Sequence, residues 1–184
     1  MRYPKELVLK TGEEAVIRPL EKTDQQLLVD FYQGISEDDR WYLRYDFLDP
    51  SVLRKWFDDI DSGTVRSIVA LFEDTIIAHA SLYLRGFGST THVGRLRIMV
   101  APQYRHKRLG TWMLLDLIQL GMDMGLTDIR SDFVAEVEAA AIDAAFKLDF
   151  FEHAKLKDYA KDPDGNRHDL VIMIKRLHKS WSDF

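Results

Sequence analysis

Three strand patterns followed directly by one long helix pattern, between Val65 and Gly125, constrain the fold more than any other feature. VRSIVALF and TIIAHASLYL are rich in β-branched and aliphatic residues and are separated by the tight turn Glu73-Asp74. THVGRLRIMV then alternates between two faces, with Leu96, Ile98 and Val100 on one and Arg95, Arg97 and Met99 on the other. After Pro102 the spacing becomes helical, with a predicted buried stripe of Met113, Leu114, Leu117, Ile118 and Leu120. The segment therefore predicts an antiparallel meander that leads into a helix.

The residues before this segment predict one strand and a group of helices. EAVIRPL reads as a short strand that ends at Pro19. Thr23 is a candidate cap for the helix DQQLLVDFYQG, which stops at Gly34. Ser36 is a candidate cap for a second helix, predicted to hold Trp41, Tyr42, Tyr45 and Phe47. A third short helix is predicted to begin at Ser51.

The residues after the long helix complete a mixed sheet. DIRSDFV is predicted to be a strand and EVEAAAIDAAFKL a helix. FFEHAKLKDY and HDLVIMIKRL form a hairpin around the turn DPDG, and IKRLHKSWSDF is the end of a strand and a tail. We expect one domain over residues 1–184, of the α/β (α+β) class. Its central sheet is mixed and mostly antiparallel, with about seven strands flanked by helices.

Composition excludes several kinds of chemistry. The chain has 184 residues, no cysteine and a net charge of −5. A disulfide, a thiolate nucleophile and a cysteine-bound metal are therefore excluded, and the six histidines lack metal-ligand spacing, so we expect no metal. MRYPKELVLK lacks the apolar core of a signal peptide, and no apolar run is long enough to cross a bilayer. We expect a cytoplasmic protein that contacts neither membrane nor nucleic acid.

A cationic run lies where the long helix begins. In VAPQYRHKRLGTWMLLDLI, four cationic or titratable residues stand in succession, Arg105, His106, Lys107 and Arg108. The first turn of a helix exposes unpaired N–H groups and carries partial positive charge, so it binds phosphate. Arginine and lysine side chains can add charge-assisted contacts to a diphosphate. The alternative is that these residues only solvate the end of a helix.

This junction resembles the Gcn5-related N-acetyltransferase (GNAT) family, whose motif Q/R-x-x-G-x-G/A follows a strand and a V-x-P turn. The matching residues are Val100, Pro102, Tyr104, Arg105, Leu109 and Gly110, and both ends of the chain resemble the family's opening and closing segments. The resemblance implies an acyl-CoA N-acyltransferase-like fold and acetyl-CoA as cosubstrate. It also implies the cofactor-binding residues Met99, Val100, Arg105, His106, Lys107, Arg108, Leu109, Gly110 and Thr111.

Two motif glycines of the family are replaced here. His106 and Arg108 stand at positions where the family has glycine, which serves where φ is positive or a ligand approaches the backbone closely. Because helical φ needs no glycine, one alternative is that Arg108 lies in an ordinary helical turn with its side chain directed outward. If its Cβ instead faced the phosphates, it would weaken coenzyme A binding.

The usual acid and base of the family are missing, so the catalytic residues are left unassigned. No carboxylate lies between Thr90 and Val100, where the family places its base, and the nearest titratable groups are His92 and His79. The tyrosine that serves the family as general acid aligns with Ala145, and the asparagine of the same motif aligns with Glu138. A lysine amine has a pKa of ~10.4 and an α-amine ~7.7–8.0, so an enzyme without a strong base should favour acceptors of lower pKa.

RWYLRYDFLDPSVLRKWF is the most aromatic part of the chain. Its Trp41, Tyr45, Phe47 and Trp56 are core or dimer residues in one interpretation and the wall of an acceptor groove in another. We expect an N-acetyltransferase that passes an acetyl group directly to an amine, of a small molecule or a protein, in a ternary complex. The alternatives are a catalytically weak acyl-CoA-binding or regulatory module and a protein-interaction domain. A homodimer is left open.

Overall fold

Eight strands and five α-helices form the part of the chain that the computed structural model describes, residues 3–177. These residues fall into two units. The first contains the residues up to Leu84 together with Arg97–Leu117, and the second contains Arg85–Leu96 and the residues from Ile118 onward. Strand β5 and helix α4 each begin in one unit and end in the other. The predicted tail from His178 lies outside the described residues.

The first unit contains most of the helices. Its elements are β1 (Lys5–Val8), β2 (Glu14–Pro19), α1 (Gln25–Gln33), α2 (Glu37–Trp41), α3 (Pro50–Asp61), β3 (Val65–Phe72) and β4 (Thr75–Tyr83). β5 (Val93–Val100) ends in this unit, and α4 (Leu109–Asp123) begins in it. The second unit adds β6 (Asp128–Val134), α5 (Ala139–Phe146), β7 (Phe151–Lys161) and β8 (Arg167–Arg176).

The strands form one mixed sheet in the order β1-β2-β3-β4-β5-β6-β8-β7. β5 and β6 pair in parallel, with Val93 opposite Asp128. The pairs β1–β2, β2–β3, β3–β4, β6–β8 and β7–β8 are antiparallel. The predicted class, a mostly antiparallel sheet flanked by helices, is confirmed. β1 is the additional strand, because its four residues alternate too briefly to give a signal in the sequence.

The ends of the first three helices differ from the prediction. Thr23 lies inside a short 3-10 helix, Lys22–Asp24, and α1 begins directly after it without a side-chain cap. The N–H of Glu21 donates to the Asp24 carboxylate at 2.8 Å and so caps the 3-10 helix. Ser36 does cap α2, through the N–H of Asp39 at 3.2 Å, but α2 ends at Trp41. The aromatic residues that follow, Tyr42, Tyr45 and Phe47, therefore lie outside a helix.

The third helix starts one residue earlier than predicted. α3 begins at Pro50, and the carboxylate of Asp49 accepts from the N–H of Ser51 at 2.7 Å. Proline is favoured in the first turn of a helix because its missing N–H would have no partner there. Asp49 is therefore the cap, and Ser51 lies within the first turn.

The core of the first unit is aromatic. The ring of Tyr32 on α1 stacks on that of Phe47, with centroids 4.5 Å apart, and Trp56 on α3 meets Phe47 edge to face at 4.8 Å. Phe47 and Trp56 are buried, which confirms the core interpretation for both, whereas Trp41 is 52% exposed. In the predicted stripe of α4, Met113, Leu114, Leu117 and Ile118 are buried and Leu120 is half-buried.

Candidate functional site

The turn between β5 and α4 presents the start of a long helix to the surface. After Val100, residues 102–104 form a 3-10 helix, and residues 105–108 form a turn. The N–H of Trp112 donates to the carbonyl of Arg108 at 3.1 Å, so the N–H groups just before Trp112 belong to the first turn, which has no intrahelical acceptors. Gly110 and Thr111 are half-buried. This helix mouth has the features of a phosphate site.

The two residues at the glycine positions adopt left-handed backbone conformations. His106 has φ 61° and Arg108 has φ 67°, and both side chains are exposed. The alternative in which Arg108 occupies an ordinary helical turn is therefore wrong. A left-handed conformation costs a non-glycine residue about 1–2 kcal/mol, so contacts of the neighbouring residues must hold the turn. The turn thus keeps the backbone that glycine would favour, and adds two side chains to it.

The other two cations of the run are paired with carboxylates of this chain. Arg105 donates to the Asp39 carboxylate at 2.9 Å and to the Val100 carbonyl at 3.2 Å. Lys107 pairs with Glu13, and its ammonium lies 5.0 Å from the ring centre of Tyr104. The hydrogen bond from Lys107 lowers the pKa of Glu13 to about 2, so this carboxylate is ionised at neutral pH. Arg105 and Lys107 therefore fix the turn.

The residues around the helix mouth fit a phosphate group. Exposed Arg108 and His106 flank N–H groups of the first turn, and turns of this kind form concave anion sites. A Cβ added at Gly110 would meet Val100 Cγ2 at 3.6 Å, which is an ordinary contact distance. The helix and the strand therefore pack closely here, but an alanine would still fit at position 110. Leu109 is buried and anchors the helix. Only its backbone is therefore left to contact a phosphate at the helix mouth.

The two candidate histidines lie in different surroundings. His79 is buried, and its ring nitrogens contact the Tyr32 hydroxyl and the Ser67 hydroxyl, each at 2.7 Å. Burial lowers the pKa of His79 to about 3, so it stays neutral. His92 belongs to the second unit, where its Nε2 lies 3.9 Å from the Asp128 carboxylate.

The positions of the family's acid are filled by structural residues. Ala145 on α5 is buried and carries no proton donor. The side chain of Glu138 accepts from the N–H of Val134 at 2.8 Å and so organises the loop between β6 and α5. Nearby in the second unit, the Asp132 carboxylate binds Arg130 at 2.6 Å and Arg95 at 2.5 Å. Ala145, Glu138 and Asp132 are not among the candidate bases that the sequence indicated, which were His79 and His92.

A small cavity lies in the first unit beside the end of β5. It contains about 250 Å³ of space, part of it open to solvent, and the predicted thioester-binding residue Met99 is in its wall. The other lining residues come from α1, from the segment after α2, and from β4 and β5: Tyr32, Leu43, Arg44, Tyr45, Phe47, His79, Ser81, Tyr83 and Arg97. This set contains two arginines and no carboxylate.

The phenols of Tyr83 and Tyr32 stay protonated at neutral pH. Burial raises the pKa of Tyr83 to about 12, although its hydrogen bond with Ser81 and the charges of Arg44 and Arg97 act in the opposite direction. Burial also raises the pKa of Tyr32. No sequence pattern singles out Arg44 or Tyr83, since Arg44 follows the end of α2 and Tyr83 lies among ordinary residues of β4. Arg44 and Tyr83 become candidate site residues only because the fold brings both into the lining of one cavity.

Comparison with known proteins identifies the family. The sequence profile described as "Acetyltransferase (GNAT) family" matches residues 27–150, two-thirds of the chain. The chain belongs to the acetyltransferase (GNAT) family. It is accordingly an acyltransferase, and the resemblance found in the turn at Arg105 is confirmed. A search of curated protein sequences finds no match.

Solved structures of this family share the fold. An acetyltransferase of the GNAT family from Streptococcus pneumoniae superposes with a TM-score of 0.78 at 18% identity, covering 89% of this chain and 99% of that one. The ribosomal-protein-S18-alanine N-acetyltransferase of Escherichia coli gives 0.71 at 21% identity, with 92% and 98% covered. The yncA protein of Salmonella typhimurium, solved with its cofactor acetyl-CoA, gives 0.73 at 19% identity, with 91% and 96% covered. At these identities the likeness is one of fold.

Two further searches of the described residues gave no site. No helix among residues 3–177 has both the length and the apolar character needed to cross a membrane. In the same residues, no group of three or more histidine, aspartate or glutamate side chains is placed to hold a metal ion.

Proposed function

We propose that this protein transfers an acetyl group from acetyl-CoA to an amine, directly, in a ternary complex of protein and both substrates. The observation that carries the proposal is the turn at residues 105–108. Its left-handed residues and the exposed first turn of α4 lie directly after the strand that ends at Val100, and this arrangement supports the binding of an anion there. The family assignment supports the reaction type, and the structure of the yncA protein with acetyl-CoA supports the cosubstrate.

The diphosphate of acetyl-CoA would be held by the N–H groups of Leu109, Gly110 and Thr111, with Arg108 and His106 adding side-chain contacts. Arg105 and Lys107 would position the turn, because both are paired with carboxylates. The backbone of Met99 and Val100 would hold the thioester arm. Acetyl-CoA supplies an activated acetyl group, so that amine and thioester give amide and thiol.

The amine must be neutral when it attacks, and the cavity offers no group to deprotonate it. His79 has a pKa of about 3, and Tyr32 and Tyr83 hold their protons. A cation near the amine disfavours the ammonium form, so the arginines of the cavity favour the neutral amine electrostatically. This supports acceptors of lower pKa, such as α-amines, over lysine side chains.

Calorimetry with acetyl-CoA, followed by acetyl-CoA turnover over a panel of amines at pH 7, tests the proposal. We expect binding with one site per chain and faster acetylation of α-amines than of lysine ε-amines in otherwise matched peptides. Binding without turnover of any amine would favour the acyl-CoA-binding regulatory module. The absence of binding would favour a protein-interaction domain and overturn the proposal.

A lysine preference at neutral pH would overturn only the acceptor assignment. It would require a base that the cavity lining does not provide. The pH dependence adds a second test, because the rate for each acceptor should rise with pH up to the pKa of that acceptor's own amine and show no step from a histidine.

A further inference from the structure

His168 lies between two carboxylates that belong to different segments of the second unit. It is near the start of β8, and its Nε2 lies 3.1 Å from the carboxylate of Asp162, in the segment that joins β7 to β8. Its Nδ1 lies 3.7 Å from the carboxylate of Glu136, in the loop of residues 135–138 between β6 and α5. The imidazole ring therefore connects the end of the closing hairpin with this loop.

These two carboxylates favour the charged form of the ring. The hydrogen bond with Asp162 raises the pKa of His168 above its ordinary value, burial opposes that shift, and Glu136 adds to it. The charged neighbours on β8 are engaged elsewhere. Arg167 donates to a backbone carbonyl of β7 at 3.1 Å, and Asp169 pairs with a lysine of β7 at 3.2 Å.

A neutral imidazole ring cannot donate to both carboxylates. Protonated histidine donates from both ring nitrogens, whereas neutral histidine has one donor and one acceptor. Asp162 stays ionised, because hydrogen bonds from Asn166 and His168 lower its pKa to about 2. The shorter contact keeps the remaining proton of the neutral ring on Nε2, so Nδ1 then presents a lone pair to the carboxylate of Glu136. Since both atoms are acceptors, this contact is lost.

The loop of residues 135–138 contains a residue that needs tertiary contacts. Glu136 has φ 63°, a left-handed conformation that a residue other than glycine adopts only where its surroundings hold it. The backbone of the loop is fixed at its start, where the N–H of Ala135 donates to the carbonyl of Asp169 at 2.9 Å. The side chain of Glu136 is 73% exposed, so water takes over its carboxylate once the ring of His168 no longer donates.

We propose that His168 is a pH-sensitive clamp: its protonated ring holds Asp162 and Glu136 together, and loss of the proton releases Glu136 and loosens the loop before α5. A histidine whose pKa is raised by folding stabilises the fold while it is protonated, and this contribution is lost as the pH rises through the folded value. Because the loop leads directly into α5, the first turn of that helix should loosen with it. The clamp involves no substrate, so it does not depend on the proposed acetyl transfer.

Titration of the imidazole by NMR tests the contact with Glu136. The pKa of His168 should be higher in the folded protein than in the same chain unfolded in urea. Glu136→Gln removes the negative charge and keeps the shape of the side chain, so it should weaken proton binding by His168 at least threefold. The matched control is Glu152→Gln, at an exposed position on β7, which should leave proton binding by His168 unchanged.

Amide hydrogen exchange tests the effect on the loop. The N–H groups of Val137 and Glu138 are bonded within the loop, so their protection can be measured. Between about pH 5.5 and pH 9, on either side of the range in which histidine titrates, their protection factors should fall at least fivefold in the wild type. Those of residues 171–173 in β8 should change less than twofold. In His168→Gln and Glu136→Gln, the loop should be as poorly protected at the lower pH as the wild type is at the higher pH.

Equal proton binding by His168 in the wild type and in Glu136→Gln would overturn the inference, because Glu136 would then not be held by the ring. Loop protection that is independent of pH in the wild type would overturn it too, since the contact would not hold the loop. Both results would leave the proposed acetyl transfer intact, because neither measurement involves acetyl-CoA.

Discussion

The turn at residues 105–108 and the cavity beside Met99 both lie in the first unit. They differ in whether carboxylates stand next to their cations. The turn has the denser run of cations in the sequence, yet Asp39 and Glu13 pair with two of them. The cavity draws its arginines from separate segments and includes no carboxylate in its lining. The density of cations along a chain therefore does not give the local field, because distant carboxylates can neutralise a run.

This difference assigns different tasks to the two regions. In the turn, the paired cations hold a left-handed backbone, and in the proposed site the N–H groups of α4 would attract the diphosphate. In the cavity, the arginine side chains would act through their charge on a nearby amine. In the turn, substitutions that disturb the backbone should therefore have the largest effect on ligand binding. In the cavity, substitutions of charged side chains should have the larger effect.

The largest expected effect comes from Gly110→Asp. An aspartate in the first turn stabilises a helix through its dipole, but it places a negative charge beside the proposed diphosphate. Two unit charges at 4 Å interact by about 4 kcal/mol at an effective dielectric constant of 20, so acetyl-CoA should bind at least ~100-fold more weakly. Calorimetry measures the affinity, and thermal denaturation should show no loss of stability.

Gly110→Ala is the matched control for this variant. Its methyl group meets Val100 at an ordinary distance, so its affinity for acetyl-CoA should stay within a few fold of the wild type. Undiminished binding by Gly110→Asp would place the diphosphate elsewhere and would remove the contrast between the two regions.

The next effect concerns the stability of the cavity wall at low pH. Folded His79 stays neutral down to a pKa of about 3, whereas in the unfolded chain it binds a proton below pH ~6.5. Because the unfolded state binds more protons, His79 should lower the free energy of unfolding by about 1.4 kcal/mol for each pH unit below 6.5. Denaturant unfolding between pH 7 and pH 4 measures this slope.

His79→Gln removes the titrating group and should flatten the slope, while being less stable than the wild type at pH 7 through altered bonds to Tyr32 and Ser67. His153→Gln, at an exposed position on β7, should keep the slope of the wild type. Identical slopes for all three proteins would mean that His79 is accessible to protons in the folded state.

The smallest expected effect comes from the carboxylate that pairs with Lys107. Glu13→Gln removes a negative charge near the helix mouth and frees the ammonium of Lys107 for the diphosphate. Acetyl-CoA should then bind roughly three- to fivefold more tightly at low salt, with the gain lost at high salt. Glu14→Gln, at an exposed neighbouring position, should leave the affinity unchanged. Weaker binding by Glu13→Gln would instead show that the pair is needed to hold the turn.

Much of the fold followed from local patterns. Both strands around Glu73-Asp74, the strand at Asp128 and the closing hairpin lie where period-two alternation and turn residues place them. The short strand β1 and the pairing of Asp24 with Arg18 before α1 were missed. Four residues carry too little periodicity, and the pairing of Asp24 with Arg18 at 2.6 Å depends on the neighbouring strand as well as on the helix sequence.

The candidate site was only partly predictable. The position of the helix mouth followed from the proline, the cationic run and the start of the helical stripe. The backbone of Arg108 did not, because residue type favours negative φ there and the left-handed conformation is imposed by the surrounding turn. Nor did sequence spacing indicate that His79 would be held neutral, since that follows from its burial.

The sequence by itself determined the order of strands and helices after β1, the absence of cysteine chemistry and the place where α4 begins, because periodicity and composition are local properties. Only the tertiary structure decided that Lys107 meets Glu13, that Arg105 meets Asp39, and that Arg44, Tyr83 and Met99 line one cavity. These residues are far apart in the chain, and charge balance and burial depend on which distant segments the packing of the core brings together.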